Sequence, residues 1–289
     1  MVLGITFLSL TGVGVLGSSF FLSLCGSTLF TSHKLRPMDP IMVQLALINA
    51  IVLLTRGIPV AILYLRTKYF FGDTVCKILF YIQRVSRSLS ICITCLLSTF
   101  QAIIISPSGS RLAKLKVRAP KYISPSYLLC WILNLLTDIN VPISISGPNN
   151  SNSSHTHGVK LLYCYWENTY KGIIILPSLR DILFMGCMVW ASSYMVLLLY
   201  RHHQKVQHVR RTSLSPRISP EMKITRTILL LVGTFISTFS VSWSLTLYKV
   251  YMIHSTVELV NVESIIILSF PTISPFLLIH RDLQMPKFC

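Results

Sequence analysis

The residues best suited to bind a polar or charged group lie inside otherwise apolar segments. Gln83, Arg84 and Arg87 fall within the run CKILFYIQRVSRSLSICITC, seven, eight and eleven residues after Cys76. At about 1.5 Å per helical residue they lie roughly 10–16 Å from the start of that segment. Gln83 and Arg87 are four residues apart and share one helical face, whereas Arg84 points to a neighbouring sector. The pattern predicts one wall of a polar cavity.

Other apolar segments carry ionisable side chains at a similar depth. Arg56 lies in the second segment, Arg180 and Asp181 lie in the fifth, and Glu263 lies in the seventh. Such groups are costly within a membrane and usually mark function. Because the opposite half of every segment is almost free of charge, the pattern favours a cavity open to one side. The predicted ligand-binding residues are Gln83, Arg84, Arg87, Arg56, Asp181 and Glu263.

A structural role is the alternative for the same residues. Asp181 is suited to neutralise Arg84 or Arg87 as a tie between helices. Arg56 is suited to reach the membrane interface, or to donate to backbone carbonyls that Pro59 leaves without a partner. The sequence alone leaves these alternatives open.

Seven apolar stretches of membrane-spanning length fill almost the whole chain. Its 289 residues are 52% hydrophobic and only 12% charged, whereas about a quarter of the residues of a soluble domain are charged. A helix of about 20 mostly apolar residues crosses a bilayer core. We therefore predict an all-α membrane protein, a seven-transmembrane helix bundle that forms a single domain over residues 1–289. The predicted spans are about 3–30, 41–65, 78–105, 123–145, 173–200, 226–250 and 258–279.

The distribution of basic residues predicts the orientation of the bundle. Most of the 26 Lys and Arg residues fall in the loops 31–40, 106–122 and 201–226 and after residue 280. Positively charged loops stay cytoplasmic, so the N-terminus is predicted outside and the C-terminus inside. The net charge of +17 then lies at a membrane surface, where it contacts anionic lipids, and binding to nucleic acid is not expected.

Two of the eight cysteines are predicted to form a disulfide. Cys76 and Cys164 are the only ones that the orientation places outside the cell, where disulfides persist; two free thiols are the alternative. The bond pins the loop before the fifth span over the mouth of the bundle. Cys92 and Cys95 form a CxxC motif, but no second pair of ligands lies at their depth, so no metal site is predicted.

Two modification signals lie in the loops and at the C-terminus. The loop 146–172 carries glycosylation sequons at Asn149 and Asn152. Both fall on the side that the charge pattern places outside the cell, so we predict that at least one is used. Cys289 lies at the inner membrane edge, where palmitoylation and a free cysteine are both compatible with its position.

Long stretches of the chain resemble the vomeronasal type-1 pheromone receptors. They are HKLRPMDPIMVQLALINAIVLLTRGIP (33–59), CKILFYIQRVSRSLSICITCLLSTFQAIIISPSGSRLAKLKVRAPKYI (76–123), CWILNLL (130–136), MVWASSYMVLLLYRHHQKVQH (188–208), SLSPR (213–217) and FPTISPFLLIHRD (270–282). The resemblance covers nearly the whole chain. It implies a plasma-membrane G protein-coupled receptor that binds a small volatile or steroid-like ligand and activates a heterotrimeric G protein of the inhibitory class.

The resemblance also implies signalling elements that differ from those of rhodopsin-like receptors. The third span ends in IIISPSGSR in place of an acidic-Arg-Tyr triplet, SPF (274–276) replaces Asn-Pro-x-x-Tyr, and Asn49 stands where such receptors carry a sodium-binding Asp. The first span has GSS (17–19) where the family usually has Gly-Asn-Ser. The basic cytoplasmic loops are expected to frame the G protein. The residues predicted to face it are Arg111, Lys114, Lys116, Arg118, Arg210 and Arg211.

A transporter or channel for a small solute is the alternative function. The odd number of spans, the absence of an internal repeat and the lack of acids in the inner half weigh against it. Neither a nucleophile with a base nor a His/Glu metal cluster falls at one depth. An enzyme is therefore not predicted, and no cofactor is expected.

Overall fold

Long apolar runs fold as helices because lipid offers the backbone no hydrogen-bond partner. The computed structural model describes residues 2–32, 38–65, 72–107, 113–116, 118–146, 159–161, 164–166, 172–209, 220–252 and 257–283. Within this part of the chain seven helices have the length and apolarity of membrane spans, which confirms the predicted fold class. They are α1 (Val2–Ser32), α2 (Asp39–Val52, continued by Leu53–Gly57 and Ile58–Leu65), α3 (Asp73–Ile105), α4 (Ala119–Thr137), α5 (Gly172–Val209), α6 (Pro220–Met252) and α7 (Val257–Leu283).

Helix α3 is the central helix of the bundle. In the most apolar 18-residue stretch of α3, 72% is buried inside the protein, compared with 17% in the corresponding stretch of α5. Leu89, Ile93 and Leu97 belong to the largest apolar cluster and are almost fully buried. The helix ends at Ser106, whose backbone is extended (φ −62°, ψ 137°), because Pro107 disfavours the helical conformation in the residue before it.

Helix α2 contains one π-helical turn, Leu53–Gly57. The turn lies just before Pro59, which lacks the N–H that would bond to the carbonyl of Thr55. A wider turn of this kind accommodates such a break. Gly57 is required here because α1 passes close by: a Cβ on this residue would lie 1.8 Å from Oγ1 of Thr11.

Helix α4 is shorter than the predicted span 123–145. It ends at Thr137, and the N–H of Asp138 bonds to the carbonyl of Asn134. A single 3₁₀ turn, Val141–Ile143, follows. The carboxylate of Asp138, the first residue after the helix, contacts α3 and α5, and Pro142 has no N–H with which to continue the helix at the carbonyl of Asp138.

The loop between α4 and α5 contributes a small antiparallel sheet, which the sequence did not predict. Its strands are β1 (Ile145–Ser146), β2 (Val159–Leu161) and β3 (Cys164–Trp166), in the order β1-β3-β2. A disulfide joins Cys164 to Cys76 at the start of α3, with 6.1 Å between their Cα atoms, as the sequence predicts. We call this end of the bundle the disulfide end, and the other the opposite end.

Helices α5 and α6 extend past the predicted spans at the opposite end. α5 continues to Val209, and α6 begins at Pro220, whereas the apolar runs end near residue 200 and begin near residue 226. The 38 residues of α5 correspond to roughly 57 Å of helix, which exceeds the thickness of a bilayer core. The basic segments are therefore partly helical continuations of the spans.

Candidate ligand-binding site

Several charged side chains lie within the spans, in the half nearer the disulfide end. A charge in this environment requires a partner, so its contacts decide whether it is available to a ligand. In the described part of the chain these residues are Arg56, Arg84, Arg87, Arg180, Asp138, Asp181 and Glu263.

Asp138 is the centre of an ionic network that joins α3, α4 and α5. Its side chain is fully buried, with Oδ1 3.4 Å from Nε of Arg84 and Oδ2 3.1 Å from Nη1 of Arg180. Nη2 of Arg180 lies 3.0 Å from Oδ1 of Asp181 and donates to Oγ of Ser88 at 2.6 Å. Two cations and two anions balance in this network, which therefore ties the three helices together.

The network gives Asp181 a different partner from the two arginines that the sequence suggested. Its ion-pair partner among the described residues is Arg180, the preceding residue, and neither Arg84 nor Arg87. The sequence reasoning missed Asp138, which neutralises Arg84. The signal was present, because Asp138 directly follows the apolar run CWILNLLT at the depth of Arg180.

Arg87 points away from this network, towards α6. Its Nη2 donates to Oγ of Ser242 at 2.9 Å, and its guanidinium carbon lies 5.3 Å from the centre of the Phe239 ring. No carboxylate of the described residues lies within ion-pair distance of Arg87. The residue is largely buried, and it lines a cleft.

A cleft lies beside Arg87, between α2, α3, α6 and α7. The enclosed space of the cleft is about 40 Å³, well below the roughly 300–1,000 Å³ of small-molecule sites, so a ligand must widen it. Its polar lining is Arg87, Ser90, Thr238 and Ser242. Its apolar lining is Val52, Phe235, Phe239, Ile266, Ile267, Phe270 and Pro271. The cleft is therefore mostly apolar, with one cation among its lining residues.

The other predicted ligand-binding residues lie outside the lining of the cleft. Gln83 is buried, and its Oε1 has no hydrogen-bond partner in the described structure. Nη2 of Arg56 donates to Oγ of Ser264 on α7 at 2.9 Å, while its buried Nε has no partner there. Oε1 of Glu263 accepts from Oγ1 of Thr246 at 2.7 Å, which links α6 to α7.

A neutral hydrogen-bonded triad lies on the α2 side of the cleft. Oγ of Ser90, a lining residue, donates to Oδ1 of Asn49 at 2.9 Å, and Nδ2 of Asn49 donates to Oγ of Ser274 at 2.7 Å. All three residues are buried. The triad joins α2, α3 and α7 through an amide and two hydroxyl groups.

Cys92 belongs to the contact between α3 and α4. Nδ2 of Asn134 lies 3.3 Å from Sγ of Cys92 and donates to the carbonyl of Cys130 at 2.6 Å. In the described residues no three His, Cys, Asp or Glu side chains are grouped so that they could hold a metal ion. Cys92 therefore has a packing contact with α4.

At the opposite end Lys116 and Arg118 are exposed between α3 and α4. Arg281 of α7 is buried, and its Nη1 lies 3.4 Å from Oδ1 of Asp39 at the start of α2. This pair joins the two helix ends. Outside the described structure lie Arg111, Arg210, Arg211, Asn149, Asn152, Cys289 and the side chain of Lys114.

Comparison with known proteins assigns a family to this architecture. The profile of the vomeronasal organ pheromone receptor family matches residues 1–289. Vomeronasal type-1 receptor 1 of Gorilla gorilla gorilla is 41% identical over 293 residues, with 99% of this chain and 82% of the relative covered. Vomeronasal type-1 receptor 4 of Homo sapiens is 40% identical, with 98% and 95% covered. Olfactory receptor class A-like protein 1 of Danio rerio is 29% identical, with 99% and 92% covered.

Proposed function

Because the chain belongs to the vomeronasal organ pheromone receptor family, we propose that its cleft beside Arg87 binds a small volatile or steroid-like ligand, and that binding activates a heterotrimeric G protein of the inhibitory class. The protein is a multi-pass plasma membrane receptor and not an enzyme. The observation that carries the proposed site is the juxtaposition of an apolar cleft and an arginine that has no carboxylate partner among the described residues.

In the proposed orientation the disulfide end lies outside the cell. Lys116, Arg118 and Arg201 are exposed at the opposite end, and positively charged segments stay cytoplasmic. The charges of the candidate site then lie on the side from which a ligand arrives. Asn149 and Asn152 belong to the loop on that side, and we retain them as proposed glycosylation sites.

The predicted ligand-binding residues take different parts in this proposal. Arg87 contacts the ligand because its side chain lines the cleft. Arg84 and Asp181 hold the wall behind it through the network around Asp138.

The remaining three residues are proposed to respond when a ligand widens the cleft. Gln83 and Arg56 each keep a buried polar atom without a described partner, and such atoms are costly until they find one. The contact between Glu263 and Thr246 breaks when α6 moves away from α7.

The proposed switch acts through the aromatic contact between α6 and α7. The rings of Phe235 and Phe270 line the cleft and meet edge to face, with centroids 4.6 Å apart. A ligand that enters between them favours arrangements in which α6 is displaced, and so shifts the population of states. The movement opens a groove at the opposite end. There Arg111, Lys114, Lys116, Arg118, Arg210 and Arg211 are proposed to face the G protein.

Nucleotide exchange in membranes that contain this receptor tests the proposal. A panel of G proteins is assayed with and without pooled animal secretions, for the wild type and for Arg87→Gln and Arg84→Gln at equal surface expression. We expect secretions to stimulate exchange on an inhibitory-class protein, and Arg87→Gln to require more ligand than Arg84→Gln. An equal effect of the two substitutions would refute the proposal that Arg87 contacts the ligand. Exchange on other G protein classes alone would refute the proposed coupling.

A further inference from the structure

Arg87 is a cation at the edge of an apolar cleft, without a described carboxylate partner. We propose that the ligand carries an acidic group, a carboxylate or another oxyanion, which pairs with the guanidinium of Arg87. The inference rests on the proposed function, because it names the chemical class of the ligand for the same cleft.

The carboxylates near Arg87 have other partners. Asp138 contacts Arg84 and Arg180, and Asp181 contacts Arg180. A charge without a counter-ion is costly inside a membrane, and one of its functional roles is to pair with a charged ligand. Arg87 is therefore in the state expected of a receptor cation whose counter-ion arrives with the ligand.

Glu263, a further carboxylate among the described residues of this half, lies on α7. Its Oε1 accepts a hydrogen bond from Thr246, and it lies outside the lining of the cleft. It is also not within ion-pair distance of Arg87 among the described contacts.

The contacts of Arg87 leave room for an oxyanion. A guanidinium has five N–H donors, and the described hydrogen bond to Ser242 engages Nη2. The guanidinium carbon lies 5.3 Å from the centre of the Phe239 ring. Guanidinium binds a carboxylate through two parallel hydrogen bonds, with greater strength than a neutral acceptor provides. The neutral Ser242 hydroxyl is a contact that such a ligand can replace or share.

The rest of the cleft defines the body of the ligand. Phe235, Phe270 and Ile266 offer apolar contacts, so the part of the molecule away from the acid must be apolar. The limited space in the cleft requires a small molecule, or a larger one that separates α6 from α7. The expected ligand is a compact apolar acid.

Matched pairs of probes test the need for an acid. The purified receptor in lipid nanodiscs is heated with decanoic acid or decanol, and with cyclohexanecarboxylic acid or cyclohexylmethanol. We expect at least one acid to raise the unfolding temperature of the wild type at concentrations at which its alcohol does not. Arg87→Gln should weaken the acid's effect by about 10- to 100-fold, the range of a charge-assisted hydrogen bond, and Arg87→Lys by less.

Arg201→Gln is the matched control, because it removes an exposed guanidinium at the opposite end of the bundle that does not line the cleft. It should leave the response to the acid unchanged. The proposal fails if an alcohol is as effective as its acid, or if Arg87→Gln responds like the wild type. It also fails if no acid stabilises the wild type up to its solubility limit.

The ligand-free receptor provides a test that needs no probe. If Arg87 awaits a counter-ion, Arg87→Gln should unfold at the same temperature as the wild type or above it, because an uncompensated charge has been removed. If Arg87 is instead a structural tie to Ser242, the variant should unfold at a lower temperature, and Ser242→Ala should lower it similarly. The second pattern would overturn the inference.

Acid–base extraction of secretions separates this inference from the proposed function. Stimulation of nucleotide exchange that is confined to the acidic fraction supports both. Stimulation confined to the neutral fraction would keep the receptor function and refute the acidic ligand. Stabilisation by an acid without stimulated exchange would keep the acidic ligand and refute the proposed signalling.

Discussion

Replacing Asp138 by Asn removes the carboxylate that two guanidinium groups share. The 3.1 Å contact with Arg180 corresponds to a Coulomb energy of about 5 kcal/mol at an effective dielectric constant of about 20. The desolvation of both groups offsets part of it. Arg84 is 35% exposed, so solvent screens its contact and it contributes little. Removal of one partner of a buried pair costs about 3–5 kcal/mol, and we expect a loss in this range.

Thermal unfolding of the purified receptor measures this loss. At about 2–4 °C for each kcal/mol, Asp138→Asn should lower the unfolding temperature by roughly 10 °C. Asp181→Asn is the matched control, because it makes the same chemical change while Arg180 keeps its contacts with Asp138 and Ser88. Its loss should be about half as large or less. The Asp138→Asn receptor that still folds should need the same ligand concentration for activation as the wild type, because Asp138 does not line the cleft.

A double substitution tests the coupling within the network. Asp138→Asn with Arg180→Gln should be less destabilising than the sum of the two single changes, because the second removes a cation that the first leaves unpaired. Equal losses for Asp138→Asn and Asp181→Asn, or additive losses in the double variant, would refute the assignment of Asp138 as the centre of the network.

Three further predictions concern contacts between other elements. Cys76→Ser and Cys164→Ser should each lower stability by up to about 4–5 kcal/mol, as the loss of a bond across 88 residues predicts, and the double variant should be no worse; unfolding with and without reductant measures this. Gly57→Ala should cost about 1–3 kcal/mol, because its Cβ meets Thr11, and Thr11→Ala should restore most of the loss; a variant as stable as the wild type would contradict the close approach. Asn49→Leu should lower the unfolding temperature modestly, since two hydrogen bonds of about 0.6 kcal/mol each in a membrane are lost; an unchanged temperature would count against the triad.

The spans could be predicted because each needs only a long apolar run. Their ends depend on individual residues and were predicted less well. The apolar pattern continues past Asp138, so it could not show that α4 ends at Thr137 and that Asp138 pairs with Arg180. The π turn before Pro59 also has no periodic signal, because it changes the backbone hydrogen bonds without changing the apolar character of the segment.

The sequence predicted which residue types belong to the site, but only some of the contacts that these residues make. The spacing of Gln83 and Arg87 places them on one face, and both face the interior. Which arginine is neutralised depends on how α4 and α5 pack against α3, and this is set by three-dimensional distances. Arg84 and Arg87 are three residues apart in the sequence, yet one joins an ion-pair network and the other faces a cleft.

The network around Asp138 also has a consequence for the order in which the chain is assembled. Synthesis delivers Arg84 to the membrane first, then Asp138, and lastly Arg180 with Asp181. Until α5 arrives, the carboxylate of Asp138 has only the partly exposed Arg84 as its partner. A nascent receptor truncated before α5 therefore presents an incompletely neutralised charge to lipid or to the insertion machinery. The network is therefore complete only once α5 has been inserted, and an unfinished receptor differs from a finished one in charge as well as in shape.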